Sequence, residues 1–234
     1  MSIKKKYKGV IFDLDGTLLN TLGVYTHIIN MLMKKNNFPT HTIENYREFI
    51  GNGTKNLITR SIPEKYREEK LIDKLLNEFR LLYENMYTQH TEVYIGVLDI
   101  LDELQSSEIK LALLSNKFHD LTCKCANHFF PNIKFDAIIG QSDLYKKPDP
   151  KGALDISHSL KIPLDQLVLV GDTEVDIRTA KNAGIDSIAV TWGFRKEEDL
   201  ITLSPDCIIK NSNDLKKYFS NHTEIIRFTD ENCV

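Results

Sequence analysis

The chain has 234 residues, 41% of them hydrophobic and 27% charged, with a formal net charge of −3. That size suits one large domain or a core with a smaller insert, and the slight acidic balance leaves no footprint for nucleic acid or for an anionic membrane surface. No apolar run approaches the roughly 18 residues needed to span a bilayer, no signal-peptide core follows Lys4, Lys5 and Lys6, and four cysteines (Cys123, Cys125, Cys207 and Cys233) agree with a reducing compartment, so a cytoplasmic protein is expected.

Residues 10–12 (Val-Ile-Phe) read as a buried strand that stops at Asp13. Asp15 follows after one residue, and Gly16 permits a turn. Two carboxylates so close do not both stay ionised without a cation or a proton. The pair therefore points to a metal site, an acid/base pair, or a nucleophile with its proton donor. Leu22, Tyr25, Ile29 and Leu32 recur at helical spacing and predict a helix over 18–33, ended by Phe38-Pro39. Short helices are expected over 43–50 and, capped by Thr54, around Leu57 and Ile58, with Gly51-Asn52-Gly53 as the turn between them. Ser61-Ile62-Pro63 breaks the chain, and 64–87 reads as a long amphipathic helix with Leu71, Leu75, Leu76, Phe79, Leu82 and Tyr83 on one side. Nothing over 19–90 looks like a strand.

The pattern changes at Val93. Helices are expected over 96–105, 119–129, 150–160, 175–183 and 214–218, the fourth closed by Gly184. Strands are expected over 109–114, 135–139, 166–170, 186–190 and 207–209. Strands alternating with helices mean a parallel sheet covered on both faces. In such a sheet ligands sit at the carboxyl ends of the strands, where Asp13, Ser115 and Asp172 fall. The helical block interrupts this alternation just after the first strand, with both joints beside Asp13, which is the layout of a hinged lid. The expected fold is thus α/β, a doubly wound, Rossmann-like parallel sheet core (1–18 and 92–220) with an all-helical cap (19–91) inserted after the first strand. A polar tail (221–234) is expected to be loosely ordered.

Asp13-Leu14-Asp15-Gly16-Thr17 resembles the first motif of the haloacid-dehalogenase-like superfamily in its phosphatase form. Ser115-Asn116-Lys117 resembles the second motif and Lys147-Pro148-Asp149-Pro150 the third. Gly171-Asp172-Thr173-Glu174-Val175-Asp176, followed by Ala180, Ala183 and Gly184, resembles the fourth. The resemblance covers residues 8–194. It implies that Asp13 attacks phosphorus to give an aspartyl-phosphate, and that Asp13, the Asp15 backbone carbonyl and Asp172 bind Mg2+. Asp176, one helical turn beyond Asp172, lies on the same face and can hold a metal-bound water. The Asp15 side chain would protonate the leaving oxygen and then deprotonate the attacking water. Ser115 and the Asn116 backbone would donate to phosphate oxygens, and Lys147 would supply positive charge. Gly16 and Thr17 belong to the expected substrate-binding set and lead the chain toward the lid.

Within the superfamily a carboxylate at Asp15 favours phosphoesters, because dehalogenases lack one there. The helical insert resembles the cap of the phosphoglycolate phosphatase-like branch, and Gly51-Asn52-Gly53 resembles its cap loop. Exposed amides there would suit a small anionic substrate, with Lys55 or Arg60 assisting. Ile95 departs from the proline often found before the glycine of Gly96. The leading expectation is a Mg2+-dependent phosphatase of a small phosphorylated metabolite, phosphoglycolate first, acting as a monomer or homodimer. The alternatives are a sugar-phosphate mutase of the β-phosphoglucomutase type, a pyrophosphatase or nucleotide phosphatase of the same branch, and a non-enzymatic receiver-like phosphoacceptor domain.

Overall fold

The protein is represented by a computed structural model, which describes residues 7–51 and 53–222. Asn52, Cys233 and residues 223–234 of the expected tail lie outside them, while Asn221 and His222 belong to the last helix. In chain order the elements are β1 (Gly9–Phe12), β2 (Leu19–Asn20), α1 (Leu22–Lys35), α2 (Ile43–Phe49), α3 (Thr54–Ser61), α4 (Glu69–Met86), β3 (Glu92–Val93), α5 (Val97–Ser106), β4 (Lys110–Phe118), α6 (His119–Phe129), β5 (Ala137–Gln141), α7 (Lys151–Leu160), β6 (Leu167–Gly171), α8 (Glu174–Ala183), β7 (Asp186–Val190), α9 (Glu197–Thr202), β8 (Cys207–Ile209) and α10 (Ser212–His222).

β1 is buried along its whole length. Successive side chains of a strand point to opposite faces, and here Val10 and Phe12 enter one apolar cluster while Ile11 enters another. A strand apolar on both faces needs helices above and below the sheet. Ala153 and Ile156 of α7 and Ala180 and Ala183 of α8 cover Ile11. Val97 and Leu101 of α5, Leu121 and Cys125 of α6, and Leu215 and Phe219 of α10 belong to the opposite cluster. The sheet runs in the order β5-β4-β1-β6-β7-β8, and every pair in it is parallel. β1 thus lies between β4 and β6, so the chain leaving Phe12 enters the middle of the carboxyl edge.

α1 to α4 form the helical layer. Tyr25, Ile28, Ile29 and Leu32 of α1 pack with Tyr46, Leu57, Ile58, Leu75, Phe79 and Tyr83, all buried. Each such side chain contributes about 1.5–3 kcal/mol when fully removed from water. Tyr25 stacks on Phe79 with ring centroids 5.6 Å apart and planes 4° from parallel.

The expected strand and helix order is present, with instructive differences. The helix expected from Leu18 begins at Leu22, because Leu19 and Asn20 pair antiparallel with Val93 and Glu92. Residues 19–90 therefore do contain a strand, β2, but two residues are too few to show a period. A 3-10 turn (Glu64–Tyr66) precedes α4, which starts only at Glu69. Gly53, at φ +90°, stands at the N-cap position of α3 expected for Thr54, which is the first residue of that helix. Ser115, Asn116 and Lys117 continue β4 past Leu114, through an irregular register that ends at Phe118. α9 was not expected from the sequence. Its first turn is Glu197, Glu198 and Asp199, and Leu200 is its buried apolar anchor.

Two glycines separate steric from conformational demands. A Cβ on Gly140 would lie 2.4 Å from His119 Cα, where β5 meets the start of α6. Gly184 ends α8 at φ +71° and faces open space. Gly184→Ala should cost about 1–2 kcal/mol through its left-handed backbone alone. Gly140→Ala should cost more, up to about 3 kcal/mol, because two of the three nearest atoms it meets, His119 Cα and N, are backbone and cannot rotate aside. Denaturant midpoints of the two variants test this; equal losses would refute the tight β5–α6 contact.

Candidate active site

The chain turns sharply after β1. Gly16 N–H donates to Leu19 O at 2.8 Å, and Leu18 and Leu19 N–H both return to Leu14 O. Gly16 adopts φ +89°, and a Cβ there would lie 2.3 Å from Asp172 Oδ2. Gly193 is equally confined, with its would-be Cβ 2.2 Å from the same oxygen. These two glycines let the loops after β1 and β7 close on Asp172, which is 0% exposed at the end of β6.

Around Asp172 the expected acids converge. Carboxylate oxygens of Asp13, Asp172 and Asp176 all lie within 4.8 Å of one another. Thr17 Oγ1 donates to Asp172 Oδ1 at 2.9 Å, and Phe194 N–H donates to Oδ2 at 2.8 Å. Asp176 Oδ2 accepts from Thr173 N–H and Oγ1 at 3.1 and 2.7 Å, while its Oδ1 accepts from Lys147 Nζ at 2.5 Å. Lys147 Nζ also stands 2.8 Å from Asp13 Oδ1. Asn116 holds Lys147 by its backbone: Asn116 Nδ2 donates to Lys147 O at 3.0 Å, and Lys147 N–H donates to Asn116 Oδ1 at 2.7 Å.

Of the three buried carboxylates, Asp13 and Asp176 thus share the Lys147 ammonium, while Asp172 is met by neutral donors. Burial pushes Asp13 up to about 6, with Lys147 opposing and Asp176 adding to the rise. Asp172 is pushed well above the usual carboxylate range by burial, then by Asp176 and Asp13. Asp13 Oδ1 makes no well-angled hydrogen bond despite its ion pair. A hard divalent cation fits this donor set, since it takes oxygen ligands and compensates the excess negative charge.

Asp15 lies apart from that cluster. Lys117 Nζ is 2.7 Å from both Asp15 carboxylate oxygens and 3.0 Å from Tyr25 Oη. Burial works against the charge on Lys117. Asp15, then Tyr25 and Tyr83, overcome that effect and hold the ammonium well above the usual lysine range.

A cleft of about 70 Å³ opens between the two groups, room for a small polyatomic anion. Asp13, Asp15, Ser115, Asn116, Lys117 and Lys147 line its floor, and Tyr25, Ile50, Gly51, Gly53, Thr54 and Leu57 line its roof. Gly16 and Thr17, expected to meet substrate, pack against Asp172. Lys55 and Arg60 also point elsewhere. Lys55 pairs with Glu69 and Asp73 on the exposed side, and Arg60 donates to Phe49 O. The roof residues named above therefore carry no cationic side chain.

A second contact was not foreseen. Arg195, in the loop after β7, binds Glu174 through Nε at 2.8 Å, and donates to the carbonyls of Ile50 at 2.5 Å and Arg47 at 3.3 Å. Arg47 returns a bond to Gly193 O at 3.3 Å. Burial pushes the Glu174 carboxyl up, and Arg195 more than offsets it. The sheet edge and the roof loop are thereby clasped together.

Acids gathered in a narrow cleft at the carboxyl edge of a parallel sheet, under a helical roof, define an α/β enzyme with an inserted cap. Residues 10–190 match the family model of the haloacid dehalogenase-like hydrolases, and the chain belongs to that family. It is 30% identical over 215 residues to a phosphoglycolate phosphatase of Aquifex aeolicus (strain VF5), covering 91% of this chain and 97% of that one. It is 28% identical over 221 residues to phosphoglycolate phosphatase 1 of Pseudomonas aeruginosa, covering 93% and 81% of the two chains. A crystal structure of a Lactobacillus delbrueckii subsp. bulgaricus protein, provisionally assigned as a phosphoglycolate phosphatase, superposes with a TM-score of 0.85 at 29% identity, covering 92% of this chain and 98% of that one. The chain is a phosphatase of the family, which removes the receiver-like alternative. Among the described residues no helix is long and apolar enough to cross a membrane.

Cation binding should follow the acid cluster's protonation. Asp13 has a folded-state pKa near 6, above its ordinary 3.8, so the metal-free fold takes up a proton as pH falls through that range. The group therefore weighs against the metal-free fold above about pH 6, and this penalty fades as pH falls toward 4. A divalent cation must displace that proton, so its affinity should drop about tenfold per pH unit below the folded-state value. Calorimetric titration at about pH 5 and about pH 8 checks this; equal affinities would refute the shared acid site.

Proposed function

We propose that the chain is a Mg2+-dependent phosphatase of a small phosphorylated metabolite, with phosphoglycolate the leading candidate. The observation that carries this reading is the convergence of Asp13, Asp15, Ser115 and Lys147 on one narrow cleft, with Asp172 and Asp176 beside Asp13, under named roof residues that offer amides, hydroxyls and apolar groups. Among the described residues that line the roof none carries a cationic side chain, which favours a compact leaving group over one with a second phosphate, which Lys or Arg would ordinarily meet. The phosphoglycolate phosphatases among the relatives point the same way.

In this reading Asp13, Asp172 and the Asp15 backbone carbonyl would hold Mg2+, with Asp176 beside them. When bound, the ion neutralises phosphate oxygens and the acids that surround it. The Asp13 carboxylate forms a bond to phosphorus as the ester P–O bond breaks, and Asp15 gives its proton to the departing oxygen. Asp15 then takes a proton from water as that water attacks the aspartyl-phosphate, which frees Asp13 and inorganic phosphate. Ser115 and the Asn116 backbone donate to phosphate oxygens, and Lys147 balances the developing charge.

Residues 1–18 and 92–220 form the catalytic core of this reading, and 19–91 form a cap hinged on β2 and β3. The roof loop, with Gly51 and Gly53 lining the cleft, faces the part of the substrate beyond the phosphate; Asn52, of the same expected set, lies outside the described residues. A reducing, cytoplasmic setting agrees with the free thiols of Cys123, Cys125 and Cys207.

Phosphate release with Mg2+ present should be fastest on phosphoglycolate in a screen that includes sugar phosphates, pyrophosphate and nucleotides. Asp13→Asn should lose turnover by at least about a thousandfold while keeping the wild-type circular dichroism. Full activity in that variant would sink the nucleophile assignment, and preference for a larger phosphoester would sink the substrate assignment.

A further inference from the structure

Lys117 is a buried cation that the steps above do not use. Its side chain is 2% exposed, at the irregular end of β4 two residues beyond Ser115. Its Nζ reaches three acceptors: Asp15 Oδ1 and Oδ2, each at 2.7 Å, and Tyr25 Oη at 3.0 Å. Tyr25 Oη in turn donates to Asp15 Oδ2 at 3.2 Å. The rings of Tyr83 and Tyr25 stand 4.5 and 5.0 Å from the ammonium. An ammonium has three N–H donors, so these partners occupy it fully.

A buried lysine is costly unless its charge is met, and here it is met on one residue. We infer that Lys117 is the positioning residue for Asp15, holding both carboxylate oxygens so that the side chain keeps the one orientation from which a proton reaches the leaving oxygen. Proton transfer depends on hydrogen-bond geometry at the reacting atom, and a carboxylate free to rotate loses it. Tyr25 comes from α1 and Tyr83 from α4, so the cage around Lys117 is complete only when the helical layer sits on the sheet. A cap that is not seated leaves Asp15 loosely held. The inference rests on the reading of Asp15 as the proton donor.

A purely structural ion pair would affect all substrates alike; a positioning role would not. An alkyl phosphoester loses an alkoxide that needs a proton, whereas p-nitrophenyl phosphate loses a stable phenolate without one. The test compares kcat/KM on p-nitrophenyl phosphate with kcat/KM on an alkyl phosphoester that the unmodified enzyme turns over, phosphoglycolate being tried first; kcat/KM reports the steps up to leaving-group departure, so the later hydrolysis of the aspartyl-phosphate, common to both esters, does not enter. Lys117→Met keeps the chain length and removes the charge. It should lose about 100-fold or more on the alkyl ester and less than about tenfold on the aryl ester. Asp15→Asn should show the same selectivity. Equal losses on both esters with Lys117→Met, or none on either, would overturn the positioning role. If Asp15→Asn itself fails to discriminate, the proton-donor reading falls, and the two failures are thereby told apart. Should Lys117→Met not fold, Tyr25→Phe removes only the hydroxyl that touches Lys117 and Asp15. It should give a smaller loss confined to the alkyl ester, and a uniform loss or no loss would equally overturn the inference.

Discussion

Asp13, Asp172 and Asp176 repel one another inside a protein interior, with Lys147 the ammonium bonded among them. Much of the surrounding architecture answers that repulsion. Asn116 clamps the Lys147 backbone so that its ammonium lands between Asp13 and Asp176. Thr17, Phe194 and Thr173 give the acids fixed donors. Gly16 and Gly193 are the residues whose lack of a side chain lets two loops close on Asp172. Gathering these acids costs stability, a cost that a divalent cation would relieve. Functional sites commonly hold such local strain against an otherwise well-packed frame.

The second acid is governed differently. Asp15 is only one residue from Leu14, the floor of the turn, and it forms a bridge with Leu19, where β2 begins. Its carboxylate faces Lys117, while the acids of the metal cluster face Lys147. The two lysines divide the cleft into a side where three carboxylates gather and a side where a single carboxylate is held, which in the proposed reading are the sides for a cation and for proton transfer. Environments that separate acids in this way are how one site supports both roles.

Much of this was legible in the sequence because the chemistry sits in short motifs at strand ends. Asp13, Ser115 and Asp172 fall there, and a parallel sheet brings such ends to one edge. What was not legible depends on partners remote in sequence or on groups every residue shares. Lys117 lies inside the second motif, yet its role is set by Asp15, 102 positions earlier. Arg195 grips the main-chain carbonyls of Arg47 and Ile50, which leave no mark in composition or spacing. The β2–β3 pair has two residues a side, too few for periodicity to register. Lys55 and Arg60 misled for the converse reason: charge near a roof loop says nothing of direction, and nearer acceptors claimed both.

The grip of Arg195 on backbone carries an evolutionary consequence. Because the guanidinium recognises carbonyl oxygens of the roof loop, the side chain at 50 can change without removing an acceptor that keeps the roof seated, and a change at 47 forfeits only the bond that Arg47 returns to Gly193 O. Glu174, the other half of the clasp, belongs to the core helix that also carries Asp176. Fastening is therefore separated from recognition. The roof is free to drift toward new leaving groups while its attachment to the chemical machinery persists, a division that lets one scaffold diversify its substrates without rebuilding its closure.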